Sequence, residues 1–435
     1  MIVGLGQTGL SVARYLAAQG ELFAVADDNA SVEARTELRA LSPLSKVIPI
    51  SKINPELTKR LWVSPGVPLT RPGIQDCVSK GVEVTGDIAL FSDLAQAPIA
   101  AVTGSNGKST VTAMLGVLAA AQLSCVAVAG NIGIPCLDVL ADDVDYYVLE
   151  LSSYQLDLVE ELPLEVAGLL NLSPDHLDRY ATEEAYFKAK LRIFEHARTA
   201  VIHKQLLDQT DLDQCSQVLV FADDVPTDHN HYGIGCDRQS SWLMKGSDVL
   251  MDCSQLQVLG RHNQLNALAA LAMGEAMGLD PVGMVATLKE FKGLAHRCEL
   301  IAEKDGVRWI NDSKATNVAA TLSAIDSLPA DGQLILILGG ESKGADFSLL
   351  QPALAGKVKS VLLLGEAKHV LASSLTDQIN CEKHSDYDAV VTRAAELASA
   401  GDTVLLSPAC SSHDMFSSYI ARGEYFRSRV NEVLA

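Results

Sequence analysis

Short apolar runs that stop at glycine or proline recur along the whole chain, and most are followed by a stretch with apolar residues at helical spacing. That alternation is the signature of strand–helix units building parallel sheets. The N-terminal part opens with a very short apolar run at Ile2 and Val3, then a helix, then "LFAVAD" (22–27), "RLWVSPGVP" (60–68) and "GVEVTGD" (81–87). It reads as a small α/β unit of about 85 residues, entered late in its first strand. A second segment begins near Asp87. Its expected strands are "PIAAVTG" (98–104), "DYYVLELSSYQL" (145–156) and "EVAGLLNLSPDHLDRY" (165–180), and its expected helices are "EEAYFKAKLRIFEHA" (183–197) and "GRHNQLNALAALAMGEAMG" (260–278). Between them, residues 200–258 alternate short strands and turns and predict a peripheral sheet. A third segment starts around Leu294 with "GVRWINDSKATN", "QLILILGGESKGADF", "SVLLLGE" and "DTVLLSPACSSHDMF" as strand-then-loop units. In such sheets ligands bind beyond the carboxyl ends of the strands. Asp312, Lys314, Lys343 and Ser412 fall there.

One of these junctions carries chemistry. Gly104-Ser105-Asn106-Gly107-Lys108-Ser109-Thr110 joins a buried strand to an Ala-rich helix. The usual phosphate loop, G-x-x-x-x-G-K-[ST], requires glycine at position 102, where Val102 stands. The shortened version keeps the essential physics. A glycine turn at a helix N-terminus aims free backbone N–H groups at an anion, Lys108 reaches outer phosphates, and a Ser109 or Thr110 hydroxyl can hold magnesium. The competing reading is an ordinary strand-to-helix turn with a solvated lysine. Gly4, Gly6 and Gly9 form a second glycine pattern, G-x-G-x-x-G, with acids at Asp27 and Asp28. Taken alone it suggests a dinucleotide site and an NAD(P)-dependent oxidoreductase. The short first unit and the separate phosphate loop argue against that.

Charge and cysteine content narrow the field. The 34 Lys+Arg against 54 Asp+Glu give a net charge of −20. This disfavours nucleic acid and anionic membranes as partners and confines any phosphate site to a local cradle. No apolar run is long enough to span a bilayer. The nine cysteines are scattered singly, without C-x-x-C, as free thiols in a reducing cytosol are. A cytoplasmic protein without membrane insertion is expected.

Other candidates lie at strand ends. Glu150 closes an apolar strand, the usual place for a magnesium-liganding acid, and His176 follows another. Tyr186, Lys190 and Phe194 are four apart on one helical stripe, which should face inward, whereas Lys188 should be solvated. A buried lysine near metal must lose its charge, pair or be modified. "DHNHY" (228–232) lacks the spacing of a metal site.

"TGSNGKST", "GNIGIP", "LELSSYQL", "NLSPDHLDRY", "HNQLNALAA", "HRCE", "NDSKATN" and "LSPACSSHDMF" occur in this order across nearly the whole chain. Together they resemble the Mur ligases of bacterial cell-wall synthesis. The loop alone is shared with folylpolyglutamate synthases, while "NDSKATN" and "SPACSSHD" point to the branch that adds D-glutamate. The resemblance implies an α/β protein of three domains. These are a Rossmann-like N-terminal domain (1–86) for the UDP part of the substrate, a central P-loop-type ATPase domain with a parallel sheet (87–293), and a Rossmann-like C-terminal domain (294–435) for the amino acid. It implies ATP, two Mg2+ ions, UDP-N-acetylmuramoyl-L-alanine and D-glutamate as ligands, carboxylate activation through an acyl phosphate, and a monomer. Carried over by position, Gly104 to Thr110, Asn263, Arg297 and Asp312 match ATP contacts. Lys108, His176 and Lys190 match catalytic positions. Ser109, Glu150, His176 and Lys190 match metal ligands, with Lys190 carbamylated. Gln7, Thr8, Asp27, Ser64, Gly66 and Asn131 match the nucleotide-sugar side, and Lys314, Thr316, Lys343, Ser412 and Tyr419 the D-glutamate side. Three departures stand out: Asp28-Asn29 where relatives carry Thr-Arg, and His413 and Tyr419 near the glutamate carboxylates. A regulatory ATP-binding protein without ligase activity would be expected to lack His176 and Lys190, and both are present.

Overall fold

The computed structural model describes residues 1–435 apart from 174–178, 181, 238–239, 259, 329–331, 343 and 376–378. Its contacts divide the chain into two units, one of Met1–Gln255 with Leu265–Glu290 and one of Leu256–Gln264 with Phe291–Ala435. The first unit contains two sheets and the second one, so the α/β fold has three domains.

The N-terminal sheet is built from β1 (Ile2–Val3), β2 (Val25–Ala26), β3 (Val47–Ile48), β4 (Arg60–Val63) and β5 (Glu83–Thr85), all parallel, in the order β3-β2-β1-β4-β5. The first strand is only two residues long, but Met1 adds to its ladder: its carbonyl accepts from Trp62 N at 2.9 Å. Two short flanking strands suffice because the apolar helix Gln7–Ala18 packs on the sheet, with Leu10, Val12, Ala13 and Leu16 buried.

The second sheet contains β6 (Ile99–Thr103), β7 (Val126–Gly130), β8 (Tyr146–Glu150), β9 (Leu164–Leu169), β10 (Ala197–His203), β11 (Gln217–Phe221), β12 (His231–Cys236), β13 (Ser241–Lys245) and β14 (Asp248–Asp252). Its order is β14-β13-β12-β11-β10-β9-β6-β8-β7. All residues of β6 and β8 are buried, as expected for parallel strands covered on both faces. Residues 200–258 differ from expectation here. They do not form a separate peripheral sheet. β10 and β11 pair in parallel with the central strands, and β12–β14 extend the same sheet as an antiparallel edge. Strand pairing between distant segments is a tertiary choice that short apolar runs do not announce.

The second unit is built on β15 (Glu299–Lys304), β16 (Val307–Asn311), β17 (Leu334–Gly339), β18 (Val358–Leu364), β19 (Cys381–Lys383) and β20 (Thr403–Leu406), ordered β15-β16-β20-β17-β18-β19. It is parallel apart from the β15–β16 hairpin. Its two apolar layers lie on opposite faces of the sheet: Leu336, Leu338 and Leu363 belong to one, and Ile335, Ile337 and Leu362 to the other.

The helix expected over 183–197 is shorter. It covers Glu183–Leu191, tightens into a single turn at Arg192–Phe194, and gives way to β10 at Ala197. The side chain of Thr182 caps its start by accepting from Ala185 N at 3.2 Å. No helix of the described residues is long and apolar enough to cross a membrane, and the nine cysteines are free thiols.

Candidate active site

Strand order assembles the phosphate loop. β6 lies between β9 and β8, so the loop that leaves Thr103 is flanked by the ends of both neighbours. Gly104 and Gly107 have φ of 153° and 85°. At Gly107 a Cβ would also stand 2.5 Å from Asn266 Oδ1, so conformation and space both require glycine. Helix Lys108–Ala120 begins there without a side-chain cap and without an acid in its first turn, leaving its leading N–H groups to an anion. The loop is braced from the end of β9. Asn106 N donates to Asn171 Oδ1 at 2.8 Å and Asn171 Nδ2 returns a bond to Asn106 O at 3.0 Å, while Ser105 Oγ bonds Ser173 O at 2.9 Å.

Two ammonium groups converge on this loop. Lys108 Nζ donates to Gly104 O and Ser105 O at 2.8 and 3.0 Å, and Lys190 Nζ donates to Gly104 O at 2.9 Å. Lys190 is 2% exposed and sits 4.7 Å from the Tyr186 ring centroid. The predicted stripe faces inward as expected: Tyr186 and Phe194 are also buried, Phe187 and Leu191 are half-buried, and Lys188 is exposed. Like charges drawn to one carbonyl repel, and an anion or a charge-reversing modification of one of them relieves that repulsion.

Glu150 ends β8 beside the loop, 1% exposed. Its Oε1 accepts from Asn131 Nδ2 at 2.8 Å, whereas its buried Oε2 has no hydrogen-bond partner among the described residues. A buried carboxylate oxygen left over in this way costs free energy unless a cation or donor meets it. Glu150 and the buried Ser109 hydroxyl, which follows Lys108 in the loop, each offer hard oxygen, the donor type that fits magnesium. Among the described residues no group of three His, Cys, Asp or Glu side chains forms a metal cluster. His176 and Lys343 lie outside the described residues. His231, within the "DHNHY" segment, pairs with Asp224 at 3.1 Å, and the segment joins no metal cluster among the described residues.

A cleft of about 350 Å³ lies in the same unit, and the six residues expected on the nucleotide-sugar side (Gln7, Thr8, Asp27, Ser64, Gly66 and Asn131) all line it. The described residues that line it include no lysine or arginine. The N-terminus of helix Gln7–Ala18, uncapped by any side chain and free of acids, supplies its positive end. Asp27 braces this loop, its two oxygens accepting from Leu5 N and Asn29 N at 2.6 Å each. The Asp28 departure has a structural partner: Asp28 pairs with Arg71, from the segment before helix Pro72–Ser79, and accepts from Ile50 N at 3.0 Å. Arg179 stacks on Tyr154 with its guanidinium carbon 4.1 Å from the ring centroid, and donates to Val67 O at the cleft wall at 2.9 Å.

The second unit contains Asn263, Arg297, Asp312, Lys314, Thr316, Ser412 and Tyr419. Arg297 sits between His296 and Cys298, both in the left-handed region at φ 64° and 44°, a strained turn of the kind that functional loops retain. Asp312 follows β16, accepts from Ser407 Oγ at 2.8 Å and from Cys298 N at 3.2 Å, and burial pushes its carboxyl up to about 7. Lys314 Nζ lies 4.0 Å from the Tyr419 ring centroid, so the tyrosine at this departing position is a cation–π partner. Ser412 is buried and Thr316 exposed.

Arg422 was not anticipated from the sequence. It is fully buried, and it donates to Ser313 Oγ and Ser313 O at 2.9 and 2.7 Å and to Cys410 O and Ser411 O at 3.1 and 3.3 Å. It thereby ties the "NDSKATN" loop to the "SPACSS" loop. Its signal was present: Arg422, Phe426 and Val430 are four apart, and all three are buried.

Family models match the chain in three blocks: the Mur ligase MurD-like N-terminal domain over residues 1–86, the Mur ligase middle domain over 102–274, and the Mur ligase glutamate ligase domain over 296–410. The first block assigns the Gly4–Gly9 pattern to a Mur-type domain, which removes the oxidoreductase alternative. Proteins named UDP-N-acetylmuramoylalanine–D-glutamate ligase from Pseudomonas savastanoi and Hahella chejuensis are 44% and 43% identical to it, each match covering 99% of this chain and 97% of the relative. In fold it is similar to the MurF ligase of Thermotoga maritima in complex with ADP, with a TM-score of 0.62 at 18% identity over 94% of both chains. It is also similar to the UDP-N-acetylmuramate–alanine ligase MurC of the same organism, with a TM-score of 0.61 at 18% identity over 99% and 98% of the chains. With relatives of that identity matching end to end, the chain belongs to the Mur ligase family and is a ligase.

Proposed function

We propose that the enzyme adds D-glutamate to UDP-N-acetylmuramoyl-L-alanine, with ATP as the energy source, during peptidoglycan synthesis in the cytoplasm, acting as a monomer of domains 1–86, 87–293 and 294–435. The observation that carries this reading is the open glycine loop with two lysines on one carbonyl, beside a buried carboxylate that has one oxygen without a partner among the described residues. The names of the relatives supply the substrates. The alanyl carboxylate attacks the γ-phosphorus of ATP, and ADP leaves. The D-glutamate amine then attacks the acyl carbon and gives up a proton, and inorganic phosphate departs as the amide forms.

The loop N–H groups and Lys108 bind the phosphates and stabilise charge on the transferring group. Ser109, Glu150, His176 and a carbamylated Lys190 would hold two magnesium ions, which when bound neutralise the meeting anions. The cleft residues Gln7, Thr8, Asp27, Ser64, Gly66 and Asn131 hold the nucleotide sugar. Asn263, Arg297 and Asp312 bind ATP, and Lys314, Thr316, Lys343, Ser412 and Tyr419 bind D-glutamate.

The test is phosphate release from ATP in the presence of the L-alanyl nucleotide sugar and a panel of D- and L-amino acids. Release should require D-glutamate. Release that favours another amino acid, or that ignores the nucleotide sugar, would overturn the assignment. Lys108→Ala should lower turnover about a hundredfold or more, the usual cost of losing one preorganised contact to developing charge.

A further inference from the structure

We infer that Asn131 is a positioning residue for Glu150 and couples occupancy of the nucleotide-sugar cleft to occupancy of the metal site. The inference rests on the reading of Glu150 as a metal ligand.

Asn131 follows β7, whose last residue, Gly130, is in register with Glu150 at the end of β8. There is no room for a side chain at this junction. Gly130 has φ 116°, and a Cβ there would lie 2.2 Å from Glu150 O. Asn131 N donates to that carbonyl at 2.8 Å. Backbone and side chain of Asn131 therefore grip the same residue, because its Nδ2 also donates to Glu150 Oε1 at 2.8 Å. A carboxylate only accepts, so the amide must present its NH2 to Glu150. Oδ1 is then turned the other way, on an exposed side chain that lines the cleft.

Glu150 needs such a hold. Its terminal torsion is broad and roughly two-fold, and it is buried, with Oε2 unpartnered among the described residues. The Asn131 bond fixes the rotation, so that one oxygen is occupied and the other stays available to a cation. Partners of this kind behind a metal ligand typically change metal affinity 10–100-fold. A donor of the nucleotide sugar bound to Oδ1 would hold the amide in the same orientation. The two ligands therefore favour one another, and the coupling is reciprocal.

The experiment measures Mn2+ binding to nucleotide-free protein from the electron paramagnetic resonance signal of free Mn2+, with and without saturating UDP-N-acetylmuramoyl-L-alanine. Wild-type protein should bind Mn2+ several-fold more tightly with the sugar present. Asn131→Ala should weaken Mn2+ binding by about 10–100-fold and lose the enhancement, with Asn131→Gln restoring part of it. Glu150→Gln is the reference variant. If it abolishes the site while Asn131→Ala binds and couples like wild type, the positioning role is wrong and the metal reading stands. If Glu150→Gln leaves Mn2+ binding intact, both fall. Should Asn131→Ala fail to fold by circular dichroism, equal wild-type affinities with and without the sugar overturn the coupling.

Discussion

Lys190 and Lys188 are two positions apart on one helix and have opposite surroundings. Lys190 is buried on the phosphate loop and Lys188 faces water. Burial penalises an ammonium, and nearby metal would repel it, whereas a carbamate would replace that positive charge with a negative one. Lys190→Ala should be nearly inactive and partly rescued by short-chain carboxylates, and Lys188→Ala should match wild type. Full activity of Lys190→Ala in bicarbonate-free buffer would end the carbamate idea. Asp312 makes a different prediction. Folding raises its carboxyl from the ordinary carboxylate range to about 7, through burial. Between about pH 4 and 7 the folded protein therefore holds a proton that the unfolded chain has released. Its stabilising contribution is full below pH 4 and is lost as pH rises through 7. The melting midpoint should fall by a few degrees between pH 5 and 8, at roughly 2–4 °C per kcal/mol for domains of this size. The fall should flatten in Asp312→Asn, and equal slopes in the two proteins would count against the shift.

At the scale of elements, helix Tyr419–Leu434 does more than cover a sheet. Phe426 and Val430 bury against the strands, and Arg422, one turn earlier, satisfies three backbone carbonyls in two loops. Each carbonyl left unpaired in a dry interior costs about 1–3 kcal/mol. Arg422→Met keeps volume and apolar packing but removes every donor. It should destabilise the second unit by about 3 kcal/mol and raise KM for D-glutamate, because Ser313 and Ser411 flank Lys314 and Ser412, which are proposed above to bind that substrate. Unchanged thermal stability would show that water replaces the guanidinium.

For the whole molecule, sheets and contacts count differently. The described residues form three sheets, but the N-terminal and central ones belong to one unit. They are joined by Ser11 Oγ to Asp138 at 2.9 Å, by an Arg14–Asp138 ion pair, by Gly86 N to Leu158 O at 3.1 Å, and by Arg179 to Val67 O. Calorimetry should therefore resolve two transitions, since units with their own cores depart from two-state behaviour. Arg422→Met should lower only one of them. Three transitions would mean that the N-terminal sheet unfolds alone.

Local periodicity and turn chemistry were legible in the sequence. The glycine loop between a buried strand and a helix, the inward stripe of Tyr186, Lys190 and Phe194, and the strand end at Glu150 all depend on neighbours within a few residues, and each is where the sequence put it. The six cleft residues were found through motif resemblance. Only the tertiary structure decided that residues 200–258 extend the central sheet, that Arg71 answers Asp28, that Arg422 is a buried clamp, and that Asn131 holds Glu150. These are pairings across strand order. A polar residue reads alike whether it meets water or a partner dozens of positions away, because burial and strand register, which distinguish the two, are properties of the folded chain.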